Sequence, residues 1–169
     1  MTKTSPLLAT ALAFSLALAA FQVQALEQAS GKVILTIAGK IAEKNTSSTA
    51  TFDLAMIQKL PQHTFVTMTP WDKKPIQFTG PLLRDLLSAV KANGNTLKAA
   101  AINDYLTSIP VADAKNFDVI MAHKMNGQDI PVKTKGPLFI VYPFDSKPEL
   151  QTSTYYERSA WQLKSLTIE

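Results

Sequence analysis

In Phe78-Thr79-Gly80-Pro81-Leu82-Leu83-Arg84-Asp85-Leu86-Leu87 the apolar period changes, within a few residues, from that of a strand to that of a helix. Ile76 to Phe78 reads as a short strand, and Gly80-Pro81 interrupts it with a proline suited to a first helical turn. Leu82, Leu83, Leu86, Leu87 and Val90 then fall on one helical face, which must be buried. The expected helix runs from about Pro81 to Lys91, and Asn93-Gly94 closes it.

Upstream, Phe65 to Thr69 is β-branched and aromatic, Pro70 stops it, and the turn Asp72 to Pro75 makes a hairpin with Ile76 to Phe78. Asp53 precedes Leu54, Ile57 and Leu60 at helical spacing, and Pro61 ends that short helix. Lys32 to Ala42 alternates with apolar groups on both faces, as a strand covered on both sides does. Downstream, strand-like segments lie at Leu97 to Ile102, Asp118 to Ala122, Ile130 to Val132 and Leu138 to Tyr142. Turn chemistry at Asn103-Asp104, Asn126-Gly127 and Gly136-Pro137 punctuates them. Trp161 to Ile168 reads as an edge-like strand ending the domain. The sum is an α+β fold of mixed sheets with short helices.

The 169 residues are 46% hydrophobic and 18% charged, which excludes a disordered tail, and the net charge of +4 is too small and scattered for a nucleic-acid binder. The amino terminus stands apart. Lys3, the apolar run Leu7 to Phe21 and the small-residue pattern Val23-Gln24-Ala25 read as a cleavable signal peptide over residues 1–25, with an uncleaved anchor as the alternative. That run is shorter than the roughly 20 residues a spanning helix needs. The expectation is a single domain over 26–169, exported to the periplasm, with no membrane insertion after cleavage. With no cysteine, neither disulfides nor acylation is expected.

His63 and His123 are far apart and no thiol can join them, so no metal site is expected. His63 reads as a solvated loop residue and His123 as a satisfied strand-end histidine. Nucleotide-binding glycine loops, nucleophile elbows and zinc-protease signatures are absent. What stands out is the coincidence of aromatic and polar groups at three turns: Thr69-Pro70-Trp71-Asp72, Asn103-Asp104-Tyr105 and Tyr155-Tyr156-Glu157-Arg158. Such clusters can stack on a planar heterocycle and read its hydrogen-bonding edge. Trp71, Tyr105 and Trp161 fit equally the rim of a core with a wet tip.

The decapeptide Phe78 to Leu87, then Asn103-Asp104-Tyr105 with Ser108-Ile109-Pro110, Met125-Asn126-Gly127-Gln128, Gly136-Pro137-Leu138 and the closing Trp161 together resemble the molybdopterin-binding domain of the sulfite-oxidase superfamily. The resemblance implies a sulfite-oxidase-type fold. It also places the family's molybdenum-ligating cysteine within the segment Phe65 to Trp71, where this chain has Thr67, Met68 and Thr69. The family's active-site tyrosine corresponds to Tyr105. Where metal-binding members carry a basic residue for the cofactor phosphate, this chain has Ala160, with Arg158 the nearest cation.

Small, exported, cysteine-free members resemble a branch of metal-free pterin-binding sensors that dock on the outer domain of membrane enzymes making or degrading cyclic di-GMP. The resemblance therefore implies a non-catalytic periplasmic sensor with a pterin as ligand and no redox cofactor. Thr69, Trp71, Asp104, Tyr105, Tyr156 and Arg158 are the expected ligand-binding residues. Trp71 or Tyr105 would stack on the ring, and Asp104 would accept from its amino-pyrimidinone edge. The alternatives are a molybdopterin-dependent oxidoreductase of sulfite-oxidase type and a periplasmic adaptor whose pocket is vestigial.

Overall fold

A computed structural model describes residues 26–169; the expected signal peptide, 1–25, lies outside the described residues. In chain order the elements are β1 Leu35–Gly39, β2 Ala50–Phe52, α1 Leu54–Lys59, β3 Gln62–Thr67, β4 Ile76–Pro81, α2 Leu83–Ala89, β5 Thr96–Ala101 and β6 Leu106–Pro110. There follow α3 Val111–Asn116, β7 Ile120–Ala122, β8 Lys124–Met125, β9 Gln128–Asp129, β10 Phe139–Val141, α4 Ser153–Arg158 and β11 Leu163–Ile168. Two single 3-10 turns, Phe144–Ser146 and Pro148–Leu150, lie between β10 and α4. The α+β expectation holds.

Three sheets share one core. Five strands run in the order β2-β1-β11-β5-β6, four in the order β3-β4-β8-β9, and β10 pairs with β7. β1 and β11 are parallel and the other pairs antiparallel, so the large sheet is mixed. β11 is therefore central, and the edge-strand expectation for Trp161 to Ile168 is corrected. Its alternation looked half-polar because Lys164 and Thr167 point out, while Leu163, Leu166 and Ile168 are buried. Hydrogen bonding on both sides is invisible in that alternation.

The helix after Gly80 is shorter than expected. β4 continues its pairing as far as Pro81 opposite Gln62, Leu82 bridges Ile120, and α2 starts only at Leu83. Leu83, Leu86, Leu87 and Val90 are buried as the period requires, each contributing about 1.5 to 3 kcal/mol of apolar burial. Closure does not use Asn93-Gly94. Lys91 takes the left-handed conformation at φ 47°, with Ala92 N donating to Leu87 O at 2.9 Å and Lys91 N to Ser88 O at 2.9 Å, a Schellman cap without glycine. Gly94 instead lies where the last residue passes. A Cβ there would stand 2.3 Å from the Glu169 carbonyl oxygen.

Gly80 matters for the same kind of reason. Its Cβ would be 2.1 Å from the Met121 carbonyl, so its lack of a side chain lets β4 cross against β7. Asp53 caps α1. Its carboxylate accepts from Met56 N at 2.9 Å, Gly31 N at 2.7 Å and Ser30 N at 2.9 Å. These bonds, Met56 first, hold the Asp53 carboxyl below the usual carboxylate range.

Other expectations need correction. β1 begins at Leu35, and only Leu35 and Ile37 are fully buried, so that strand is covered well on one face; Val33 is 44% exposed. His63 is not in a loop, because β3 extends back to Gln62 to complete its ladder with β4. Ile130 to Val132 forms no strand: Ile130 is buried and bonds through its N–H to His123 O, but Val132 is exposed. β2, β6, β8, β9, α3 and α4 have no counterpart among the segments that the sequence pattern marks. Among the described residues no helix is long and apolar enough to cross a membrane.

Candidate functional site

The three turn clusters converge. A cavity of about 300 Å³ is lined by Trp71, Asn103, Tyr105, Tyr156, Glu157, Ser159 and Trp161, a volume at the small end of pockets that hold organic ligands. Trp71 comes from the β3–β4 turn, Asn103 and Tyr105 from the β5–β6 turn, and Tyr156 and Glu157 from α4. Trp161 stands just before β11.

The walls are fixed by their backbones. Tyr105 N donates to Asn103 Oδ1 at 3.2 Å, and the Tyr105 hydroxyl donates to the Glu157 carbonyl at 2.7 Å, tying the β5–β6 turn to α4. Trp71 meets Trp161 with ring centroids 5.2 Å apart at 73° and Tyr156 at 6.2 Å and 70°. The rings therefore form adjoining walls set nearly at right angles, a favourable edge-to-face arrangement. Both tryptophans of the chain belong to this wall.

Of the six expected binding residues, Trp71, Tyr105 and Tyr156 line the cavity and Thr69, Asp104 and Arg158 do not. Thr69 is buried, and its hydroxyl donates to Asp72 Oδ2 at 2.6 Å. Asp104 occupies the left-handed position of its turn at φ 65°, and its side chain is 92% exposed beside Lys164 Nζ at 3.1 Å. A tight turn sends successive side chains different ways, and Asn103, one position earlier, is the one at the cavity. Arg158 donates to Asp113 Oδ2 at 2.9 Å, and the same oxygen accepts the Tyr142 hydroxyl at 2.7 Å. Burial first, and then the Asp113 carboxylate, push the Tyr142 phenol far above its ordinary value, so it stays a donor. Glu157 and Trp161 stood in or beside the quoted clusters; Ser159 carried no signal in sequence.

Behind the tryptophans lies Lys135. Its ammonium is 5.8 Å from the ring centres of both Trp71 and Trp161 and bonds Asp72 Oδ2 at 2.8 Å. Burial alone would push the Asp72 carboxyl up, but the bonds from Lys135 and Thr69 outweigh it and hold it below its ordinary value.

Residues 27–144 match the family described as the oxidoreductase molybdopterin binding domain. The chain belongs to that family. A search of curated proteins gave no match. Among solved structures, the molybdopterin-binding-domain fold of this chain is similar to the sulfane dehydrogenase SoxCD from Paracoccus pantotrophus, with a TM-score of 0.61 and 16% identity over 79% of this chain. That alignment spans 37% of the SoxCD chain, and at such identity it shows the fold alone. The sulfite-oxidase-type fold expected from the sequence is the fold of this chain.

The residues present do not fit a molybdenum-bearing cofactor. No thiol exists in the chain, and the described residues contain no group of three or more histidines or carboxylates placed to hold a metal. In the segment where the resemblance expects a ligating cysteine, Thr67 Oγ1 accepts from Asp145 N at 3.0 Å and Thr69 is committed to Asp72. His123 is buried behind β3, with Nε2 2.9 Å from Gln62 Oε1. Gln62 Nε2 donates to Ile57 O and Leu60 O, so Oε1 must accept and His123 holds its proton on Nε2. Its Nδ1 is buried without a partner, so the expected satisfied histidine is half satisfied. Burial holds this imidazole below its ordinary value, keeping it neutral.

Proposed function

We propose that this domain binds a pterin ring in the aromatic cavity and performs no redox catalysis itself, acting in the periplasm as a sensor that reports ligand state to a membrane enzyme of cyclic di-GMP turnover. The observation that carries the ligand reading is the convergence of Trp71, Tyr105, Tyr156 and Trp161 with the Asn103 amide on one cavity. Aromatic walls suit a flat heterocycle, and the amide can both donate to and accept from its edge. Membership of a molybdopterin-binding family supports a pterin-type ligand, and the missing thiolate supports binding without the metal. The partner and the compartment rest on the family resemblance and the amino-terminal sequence.

Pterin titration followed by fluorescence tests the binding. Trp71→Ala should weaken it at least about ten-fold, as the loss of a stacking wall would. Lys73→Ala, an exposed position in the neighbouring turn, should do little. One molybdenum per chain retained through gel filtration would replace this reading with the oxidoreductase. For the sensor, the liganded and empty forms must bind the partner's outer domain with different affinities, since only differential binding transmits a state. Equal affinities would leave a pterin carrier.

A further inference from the structure

The residues lining the cavity carry charge of one sign only. Its lining contains one acidic residue, Glu157, and no basic one. Two cations near it are both spent elsewhere, and a third, Lys98, lines only the adjoining groove with Tyr105 and Glu157 and pairs with Glu169 at 3.9 Å. Lys135 is bound to Asp72 with the two side chains 18% and 22% exposed, and Arg158 is bound to Asp113 with 24% and 9% exposed. Drawing either toward a ligand would strand a largely buried carboxylate, a costly exchange. Glu157 itself has no ion-pair partner among the described residues. The segment of α4 that reaches the cavity is its carboxyl-terminal half, the end at which a helix offers acceptors rather than donors.

We infer that the cavity selects ligands by charge, accepting planar rings that are neutral or cationic and rejecting those that bear a phosphate or carboxylate, with Glu157 as the discriminating residue. The inference deepens the ring-binding reading and rests on it. An anion entering this cavity loses water without gaining a cation, and the negative charge of Glu157 at its wall adds repulsion. A neutral ring has neither cost. A cationic ring gains from the aromatic walls as well as from Glu157.

Because both tryptophans line the cavity, their quenching reports occupancy directly. Four probes are titrated at neutral pH and low salt: 6-hydroxymethylpterin, its phosphate monoester, N-methylquinolinium and quinoline-2-carboxylate. The alcohol should bind at least about ten-fold more tightly than its ester, and the quinolinium more tightly than the carboxylate. Glu157→Gln, at an exposed position, should shrink the alcohol-to-ester ratio by about three- to ten-fold, the value of one partly screened charge. Added salt should shrink it as well. An ester that binds as well as the alcohol overturns the inference, and so does a ratio that Glu157→Gln leaves unchanged. If neither pterin quenches but the quinolinium still outbinds the carboxylate, the pterin reading fails and charge selection stands. If both pterins bind alike, charge selection fails and the pterin reading stands. Silence from all four probes defeats both.

Discussion

Replacing Asp113 by alanine removes the shared acceptor of a buried polar group that joins α3, the segment after β10 and α4. Two things are lost. The Tyr142 hydroxyl, in a side chain with no solvent exposure, has no other partner, and a stranded buried donor costs about 1 to 3 kcal/mol. Arg158 loses its counter-charge, but at 24% exposure it can turn partly to water, so this share falls below that of a fully buried pair. The sum is about 3 kcal/mol, a large part of the roughly 5 to 15 kcal/mol that holds a domain together. Asp113→Asn keeps an acceptor for Tyr142 and should cost about half as much. Urea unfolding measures both, with a lower midpoint at unchanged slope for each. A loss within about 0.5 kcal/mol for the alanine variant, or equal losses for the two, would refute this assignment of the energy. Because Arg158 anchors the helix that carries Tyr156 and Glu157, the alanine variant should also weaken ligand binding.

Leu86→Ala should cost about 2 to 5 kcal/mol in the same assay, since Leu86 has no exposure and a cavity would remain. Gly80→Ala should cost about 1 to 3 kcal/mol or more, because the added methyl meets the Met121 carbonyl and neither strand can yield cheaply. Stability should also depend on pH through His123. Its imidazole titrates lower folded than unfolded, so the unfolded chain binds more protons between the two values. The contribution is full above the ordinary value of 6.5 and lost as the pH falls below it. Asp53 acts in a separate window, stabilising above the ordinary 3.8 and losing its effect below that. A urea midpoint that stays flat between about pH 7.5 and about pH 5 would contradict the His123 sign.

The helix face Leu83, Leu86, Leu87 and Val90, the short helix after Asp53 and the β3–β4 hairpin were legible because each is a local pattern. What escaped was long-range. Leu163 to Ile168 has the same alternation at an edge or between two partners, and only its pairing with β1 and β5 decides which. α4 escaped because it buries no residue fully and so has no apolar stripe; packing of Tyr155 and Tyr156 and the Arg158 bond hold it. At the cavity the turns were found and single positions within them were not. Asp104 looked the better reader of a ring edge, but its left-handed backbone carries it to Lys164, and composition does not encode a direction of projection.

The place of β11 bears on when this molecule can take shape. The first and last strands of the described chain lie side by side, with Thr36 opposite Ser165 and Gly39 opposite Ile168. During synthesis, β1 with β2, and β5 with β6, can exist only as separate ribbons with the seam between them open. Sealing it requires β11, which is made after every other element described. The large sheet is thus completed only once β11 has emerged, as a non-local closure of the slow kind, and until then the facing edges of β1 and β5 are open to any extended chain that reaches them first.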